Sequence, residues 1–258
     1  MTKNQTKKYF CSVIYEFKGT NPVKSVNLSQ GIEIGIPIQR GSGVSSFDID
    51  SAEYKVYQKN GFVGSKNKGG SCNLETITFT PHGNGTHTEC FGHISLEEHF
   101  VNDFINDHFY TALLFTADSV EQDGQLMLNF NNLDFSLKNK FKSLIIRSLP
   151  NSDDKLNLKY SGEKTPFIAP KDMEKIVQMG IEHLIIDLPS VDPEWDEGKL
   201  ASHHIFWNYP DLPRSNCSIT EFAYIPNDIK DGEYLVKLNI SNFISDAAPS
   251  RPIIYPIF

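Results

Sequence analysis

Short runs of alternating apolar and polar residues recur along the chain and predict more strand than helix. Residues 76–80 and 234–240 alternate in this way and are rich in β-branched or aromatic side chains. Residues 110–115 and 142–147 are apolar runs of strand length. Further strands are predicted between turns of Gly, Asn, Asp and Pro at residues 25–28, 32–36, 54–56, 184–187 and 219–225.

One segment carries the signals of a helix at both of its ends. Residues 170–179 begin at Pro170 with acidic residues in the first turn, repeat apolar residues at helical spacing, and stop before Gly180. A shorter helix is predicted at residues 199–207. Because strands outnumber helices, the pattern indicates a mixed, strand-rich α/β fold. A length of 258 residues suits a single domain, residues 1–258.

Charge and composition argue against several classes of function. The formal net charge is -8 with Lys and Arg scattered, so no basic face for nucleic acid is visible. No run reaches the ~20 apolar residues of a membrane-spanning helix, and the apolar stretch at residues 9–14 is too short for a signal peptide. Four cysteines without a C-x-x-C pair do not form a disulfide framework. We therefore expect a cytoplasmic protein that handles a small neutral molecule, with neither nucleic acid nor membrane as partner.

A cluster of possible metal ligands follows the predicted strand at residues 76–80. His82, His87, Glu89 and His93 fall within twelve residues, and imidazole with carboxylate suits Zn²⁺, Mn²⁺ or Fe²⁺. The glycines between them would let a loop fold tightly around an ion. A lone histidine is more often a hydrogen-bonded structural residue, but three histidines with a glutamate favour a metal site in the loop after the strand. The spacing leaves open whether one ion or two are bound.

The central motif also resembles a known family. The segment Gly85-Thr-His-Thr-Glu-Cys-Phe-Gly-His93 is similar to the signature His-x-Gly-Thr-His-x-Asp-x-Pro-x-His of the cyclase superfamily. This is the family of metal-dependent kynurenine formamidases (arylformamidases) and isatin hydrolases. Five other segments resemble the family's remaining motifs in order: residues 26–29, 187–193, 201–207, 219–221 and 247–251.

The resemblance implies a fold, an assembly and a set of roles. The fold is a swivelling β/β/α domain, often assembled as a homodimer or homotetramer. His87 would bind the first metal, Glu89 would bridge two metals, and His93 would transfer protons. His203 would bind the second metal, and Glu221 would be a second bridging carboxylate.

The chain departs from the family pattern at several ligand positions. The first histidine of the signature would fall at Gly83, so either His82, one residue away, or no histidine supplies that ligand. On the predicted helix, His204 is the alternative to His203. Glu89 replaces an aspartate, which lengthens the bridging arm by one methylene.

The predicted pocket differs from the family as well. Cys90 and Phe91 stand where the family has Ala-Pro. A thiol beside a metal cluster more often binds the metal or only packs than acts as a nucleophile. Phe91 and Trp207 are predicted to contact an aromatic substrate, with Trp195 and Tyr209 as further candidates. Ordinary packing is the alternative for each of them.

These features together predict a metal-dependent amidohydrolase that uses a metal-activated water. It would cleave the C–N bond of an aryl formamide or cyclic amide, as kynurenine formamidase converts N-formylkynurenine to kynurenine and formate in tryptophan catabolism. One or two Zn²⁺ ions are the expected cofactor, and Mn²⁺ would suit the ligands nearly as well. The alternatives are a lactam or lactone hydrolase with another substrate, and a non-catalytic binding protein on the same fold.

Overall fold

A nine-stranded sheet organises the part of the chain described by the computed structural model, which covers residues 14–16, 24–106 and 108–258. Residues 9–13 of the short apolar stretch near the N-terminus, which include Cys11, lie outside these residues. The described strands are β1 (Ile14–Glu16), β2 (Ser25–Asn27), β3 (Ile32–Glu33), β4 (Glu53–Val56), β5 (Gln58–Lys59), β6 (Phe62–Val63), β7 (Glu75–Thr78), β8 (His87–Glu89), β9 (Phe109–Ala117), β10 (Ser119–Gln122), β11 (Gln125–Leu128), β12 (Ser143–Ser148), β13 (His183–Ile186), β14 (Ser218–Glu221), β15 (Gly232–Lys237), β16 (Ala247–Pro249) and β17 (Ile253–Pro256).

The sheet has a parallel centre and antiparallel edges. Its order is β16-β8-β14-β13-β12-β9-β15-β17-β3. Strands β14, β13, β12 and β9 run parallel to one another, whereas β8 and β16 on one side and β15, β17 and β3 on the other pair antiparallel. Every residue of β12, β13 and β14 is buried, as expected of parallel strands covered on both faces. Sites in such sheets usually lie at the carboxyl ends of the parallel strands.

The helices are short and lie beside this sheet. They are α1 (Pro81–Asn84), α2 (Val101–Phe104), α3 (Pro170–Gln178) and α4 (Ala201–Trp207). The helix predicted at residues 170–179 is confirmed: α3 ends one residue earlier, and Gly180 follows with φ 83°. Its apolar face is fully buried at Met173 and Ile176, and burial of each such side chain contributes about 1.5–3 kcal/mol. The helix predicted at residues 199–207 is confirmed as α4, which packs against α3.

Most predicted strands are confirmed, with ends that the pattern did not fix. The strand predicted at residues 219–225 ends at Glu221, because Phe222 adopts φ 54°, in the left-handed region. The strand predicted at residues 32–36 stops at Glu33. There the chain changes partners: the Ile34 amide donates to the Pro252 carbonyl, while the Ile34 carbonyl accepts from the Tyr224 amide.

The predicted location of the histidine cluster, in the loop after the strand, is confirmed for His82 but wrong for His87 and Glu89. Strand β7 does not belong to the large sheet but pairs with β4 in an exposed two-stranded ribbon. The single turn α1 follows it, and His87–Glu89 form strand β8 inside the sheet instead of a loop. The reason is long-range pairing: β8 is buried between β14 and β16, which the local Gly- and Thr-rich composition does not reveal.

Two short hairpins were not predicted although the chain contains their turn signals. Strands β5 and β6 pair antiparallel across Asn60-Gly61, whose φ values are 50° and 80°. Strands β10 and β11 pair antiparallel across Asp123-Gly124, whose φ values are 52° and 78°. An Asp-Gly pair with both residues at positive φ is typical of a two-residue hairpin turn. The predicted mixed, strand-rich α/β class is nevertheless confirmed. In the described ranges, no helix is long and apolar enough to cross a membrane.

Candidate metal centre

Strand β8 and its neighbour β14 place three ligand-type side chains on one face of the sheet. His87 lies opposite Glu221 in the register, and Glu89 lies opposite Ile219. Side chains two residues apart on a strand share a face, so His87 and Glu89 point the same way. The His87 Nε2 atom is 3.4 Å from a Glu221 carboxylate oxygen. On the opposite face, the Thr88 hydroxyl bonds to Thr220 at 2.8 Å.

Helix α4 delivers His203 to the same cluster, and Asp192 fixes its orientation. The Asp192 carboxylate accepts hydrogen bonds from the Ser202 and His203 amides at the start of the helix. It also bonds to His203 Nδ1 at 2.7 Å. This contact holds a proton on Nδ1, so Nε2 is the nitrogen that a metal ion would bind after displacing its proton. Nε2 lies 3.3 Å from Glu89 and 3.8 Å from Glu221.

His82 and His93 approach Glu89 from the other side, together with Asp246. His82 Nδ1 is 3.1 Å from Glu89 Oε2, and its Nε2 is 2.8 Å from Asp246 Oδ2. His93 Nδ1 lies 3.9 Å from Glu89 and 3.5 Å from Asp246. The two imidazole rings have centroids 4.3 Å apart. We call the set formed by His82, His87, Glu89, His93, His203, Glu221 and Asp246 the Glu89 cluster.

Five buried polar atoms of the Glu89 cluster lack hydrogen-bond partners. These atoms are both carboxylate oxygens of Glu89, Oε1 of Glu221, and Nε2 of His87 and of His203. Buried polar groups are normally paired, since leaving one unpaired costs about 1–3 kcal/mol. Two groups place one ligand atom per residue within 4.8 Å of one another: His82 with Glu89 and His93, and His87 with Glu89 and Glu221. Unpaired imidazole and carboxylate atoms in this arrangement fit one or two divalent cations.

The electrostatics of the cluster also favour a cation. Burial disfavours a charged imidazole at His82, but the hydrogen bond to Asp246 and the nearby Glu89 carboxylate outweigh it and raise the pKa of His82 to about 10. Burial likewise opposes protonation of His203, yet Asp192 and Glu89 raise its pKa to about 10. Burial alone would raise the pKa of Glu89, but the neighbouring histidines, His93 first, hold it well below its usual range. The carboxylates therefore attract positive charge, and a metal ion binding here would displace the protons.

The structure brings together six of the seven predicted ligand or proton-transfer residues. The exception is His204, whose Nδ1 bonds to the Tyr209 carbonyl at 3.0 Å and whose ring contacts the Tyr209 ring. Successive residues on a helix are turned by about 100°, so His203 and His204 cannot both face the cluster. The prediction that named His204 as a ligand is therefore corrected. His82 reaches Glu89 despite its one-residue displacement from the family signature.

The two aromatic residues predicted to contact substrate are core residues instead. Phe91 is buried against His99 and Phe104. Trp207 is 0% exposed, and its Nε1 donates to the Cys217 carbonyl at 2.9 Å. Both belong to the main hydrophobic cluster and neither lines the cavity at the site. Trp207 lies one turn after His203, and their ring centroids are 5.6 Å apart. The buried indole therefore packs against the His203 ring.

A cavity of about 590 Å³ opens onto the Glu89 cluster. Its inner end is formed by His82, His93, His203 and Glu221. Trp195, one of the further aromatic candidates, lines the outer part and is 78% exposed. A larger depression of about 960 Å³ lies elsewhere and has no histidine among its lining residues. The chemistry of the ligand set, and not the volume, identifies the smaller cavity as the candidate site.

Sequence reasoning missed two residues of the site, one of which borders a matched segment while the other lies inside one. Asp246 directly precedes the matched segment at residues 247–251, and Asp192 lies within the one at 187–193. Asp246 reaches the cluster because β16 pairs with β8, and the Cys90 amide donates to its carbonyl.

Comparisons with known proteins identify the family to which the chain is similar. The family model described as "Putative cyclase" matches residues 26–193. A kynurenine formamidase from Bacillus cytotoxicus is 26% identical over 196 residues, which are 75% of this chain and 85% of that protein. A structure described as a "predicted metal-dependent hydrolase", from Bacillus stearothermophilus, has a TM-score of 0.58 at 15% identity, covering 87% of this chain and 97% of the other. Isatin hydrolase A from Labrenzia aggregata has a TM-score of 0.56 at 9% identity, covering 87% and 93%. These named relatives are hydrolases.

Proposed function

The chain belongs to the cyclase family, and we propose that it is a metal-dependent hydrolase that cleaves the C–N bond of an aryl formamide or a cyclic amide. The observation that carries this proposal is Glu89, whose two buried oxygens have no hydrogen-bond partner and are shared between two groups of possible ligands. Similarity to a kynurenine formamidase supports the reaction class.

We assign the metal ligands from these two groups. His87, Glu89 and Glu221 would hold one ion, and His82 with Glu89 would contribute to holding a second. His203 would complete the set through Nε2, because Asp192 holds its Nδ1. Outer hydrogen bonds of this kind orient ligating imidazoles and raise their basicity. Zn²⁺ suits these nitrogen and oxygen ligands, and Mn²⁺ suits them nearly as well.

A divalent ion bound here would supply a water of lowered pKa, about 7 for Zn²⁺, and would polarise the scissile carbonyl. The chain's own contribution is the movement of a proton. His93 lines the cavity, and its Nδ1 faces Asp246 at 3.5 Å. That contact leaves Nε2 to accept a proton from the attacking water and to return it to the departing nitrogen. The amide nitrogen needs this proton because an amide anion is a very poor leaving group.

Metal content and turnover measured on one preparation test the proposal. Protein purified without a His-tag is analysed for metals by mass spectrometry and assayed with N-formylkynurenine, formanilide and isatin. We expect one to two metal ions per chain, loss of activity on dialysis against a chelator, and recovery with Zn²⁺ or Mn²⁺. Absence of bound metal and of turnover, with both ions resupplied, would remove the hydrolase proposal and leave a binding protein on this fold.

A lactam or lactone hydrolase is the second candidate. The observation in its favour is the character of the outer cavity, where Phe47, Ile49 and Trp195 present rings and an aliphatic side chain. Such walls suit any compact aromatic ring system, cyclic amides and esters included. Turnover of isatin or an aryl lactone, without turnover of either formamide, would identify this activity.

A further inference from the structure

The mouth of the cavity carries negative charge. Glu194, Asp196 and Glu197 line it on both sides of Trp195. Among the described residues that line the cavity, none is Lys or Arg. The nearest cation along the chain is Lys199, and its ammonium pairs with Glu197 at 2.7 Å. That pair is exposed on both sides, so it is screened by solvent and dissolved salt.

These carboxylates are held in place by backbone amides. Asp196 accepts from the amides of Gly198, Lys199 and Leu200, which fixes the turn at the cavity mouth. Glu194 accepts from the Gly162 amide at 2.8 Å. Amide hydrogen bonds position a carboxylate but do not neutralise it. The mouth therefore keeps at least two fixed negative charges that no described cation contacts.

The carboxylates at the inner and outer ends of the cavity have different surroundings. At the inner end, the carboxylates of the Glu89 cluster surround atoms that fit a metal cation. At the outer end, the acids sit beside apolar side chains, namely Phe47, Ile49, Trp195 and Leu200. The outer acids have no cation among the described residues that line the cavity. A substrate must pass these acids to reach the inner end.

We infer that this cavity selects aryl amides that are neutral or positively charged and discriminates against those that carry a net negative charge. This inference rests on the proposed hydrolase function and narrows its substrate class. The apolar walls bind the ring, and the acids at the mouth repel an anionic substituent. N-formylkynurenine carries an ammonium beside its carboxylate and is net neutral, so we expect the poorer substrates to be aryl formamides whose only charged group is a carboxylate.

A matched pair of substrates isolates the charge. 3-Formamidobenzamide and 3-formamidobenzoate have nearly the same shape and differ by one negative charge. We expect kcat/KM to be about tenfold or more higher for the benzamide at 50 mM salt, which is the size expected of one or two like charges near a protein surface. The ratio should fall severalfold at 500 mM salt because screening shortens the range of the repulsion. The cationic 3-formamidobenzylamine should match or exceed the benzamide at low salt.

Charge-removing variants locate the effect. Glu194→Gln should lower the benzamide-to-benzoate ratio by about threefold, whereas Glu174→Gln, an exposed glutamate on α3 that does not line the cavity, should leave the ratio unchanged. Equal turnover of the two substrates, or preference for the benzoate, would overturn the inference while leaving the hydrolase proposal standing.

A binding measurement keeps the inference testable in the absence of turnover. Trp195 is exposed in the cavity mouth and Trp207 is fully buried, so quenching by a ligand reports on Trp195, and Trp195→Phe verifies the assignment. With the metal-loaded protein, we expect the benzamide to bind about tenfold more tightly than the benzoate at low salt. If no substrate is turned over but this preference holds, the proposed function fails and the selectivity stands. Equal binding, or tighter binding of the benzoate, would overturn the selectivity.

Discussion

Two buried charged clusters lie at the carboxyl ends of the parallel strands, and they differ in how their polar atoms are satisfied. In the first, which we call the Asp187 cluster, Lys155 Nζ donates to Asp187 at 2.7 Å and to the carbonyl and hydroxyl oxygens of Ser148. The Ser148 amide donates to both Asp187 oxygens. Every one of these side-chain atoms has a partner, so the Asp187 cluster is closed.

The Glu89 cluster is open. Its two Glu89 oxygens, together with atoms of His87, His203 and Glu221, are equally buried and have no hydrogen-bond partner. Burying unpaired charge is costly, so such an arrangement persists only where something else compensates it. Burial and charge alone therefore do not identify a ligand-binding site. The unsatisfied atoms do, because they indicate where a ligand is expected.

The largest expected effect is that of Glu89→Gln. This change keeps the shape of the side chain but removes the charge shared by both ligand groups. We expect loss of bound metal and a fall in kcat/KM of about 10³-fold, equivalent to ~4 kcal/mol of transition-state stabilisation. Glu53→Gln, an exposed glutamate paired with Lys55, is the matched control. Wild-type metal content in Glu89→Gln would show that Glu89 is not a ligand.

The closed cluster should respond in stability and not in metal content. Lys155→Met leaves the Asp187 charge buried and unpaired, which typically costs about 3–5 kcal/mol. Lys164→Met removes an ammonium from an exposed pair with Glu121 and should cost less than about 1 kcal/mol. Urea denaturation measures both changes in the free energy of unfolding. Loss of metal from folded Lys155→Met would mean that the two clusters are coupled. It would contradict the prediction that the Asp187 cluster affects stability alone.

The open cluster was also the more predictable of the two from sequence. Ligand-type residues concentrated between His82 and His93 give a local signal, and Glu221 and His203 were matched by motif. Asp246 had no such signal, because only the pairing of β16 with β8 brings it beside Glu89. Residues far apart in sequence meet through strand order, which local periodicity does not encode.

The direction in which a side chain points was also not predictable from the sequence. Phe91 and Trp207 neighbour metal-site residues along the chain, yet both turn into the core. Helix α3 was predicted almost to its ends, because Pro170 and Gly180 are local signals for a helix start and stop. The turn dipeptide Asp123-Gly124 is an equally local signal, but the hairpin that it forms was not predicted.

A change behind the open cluster should have an intermediate effect. Asp192→Asn weakens the contact that holds His203 Nδ1 and aims Nε2 at Glu89 and Glu221. Removing such a partner typically lowers metal affinity or activity by about 10–100-fold. Asp172→Asn, a buried aspartate on α3 paired with Lys175, controls for loss of a buried carboxylate. Competition with a chelator of known affinity measures the change, and equal affinity in the two variants would contradict a positioning role for Asp192.

The smallest effect is expected from Cys90→Ala, although Cys90 directly follows Glu89 in the chain. Burial raises the pKa of the Cys90 thiol to about 12, so little of the reactive thiolate exists at neutral pH. Its sulfur accepts from the Gly92 amide and contacts the His99 carbonyl, which are packing interactions. We expect kcat/KM within about twofold of wild type and a loss of stability of about 1 kcal/mol. Cys217→Ala, another buried thiol with a pKa raised to about 11, should behave alike. A hundredfold loss of activity in Cys90→Ala alone, with metal content unchanged, would place the thiol in the reaction and extend the open cluster by one residue.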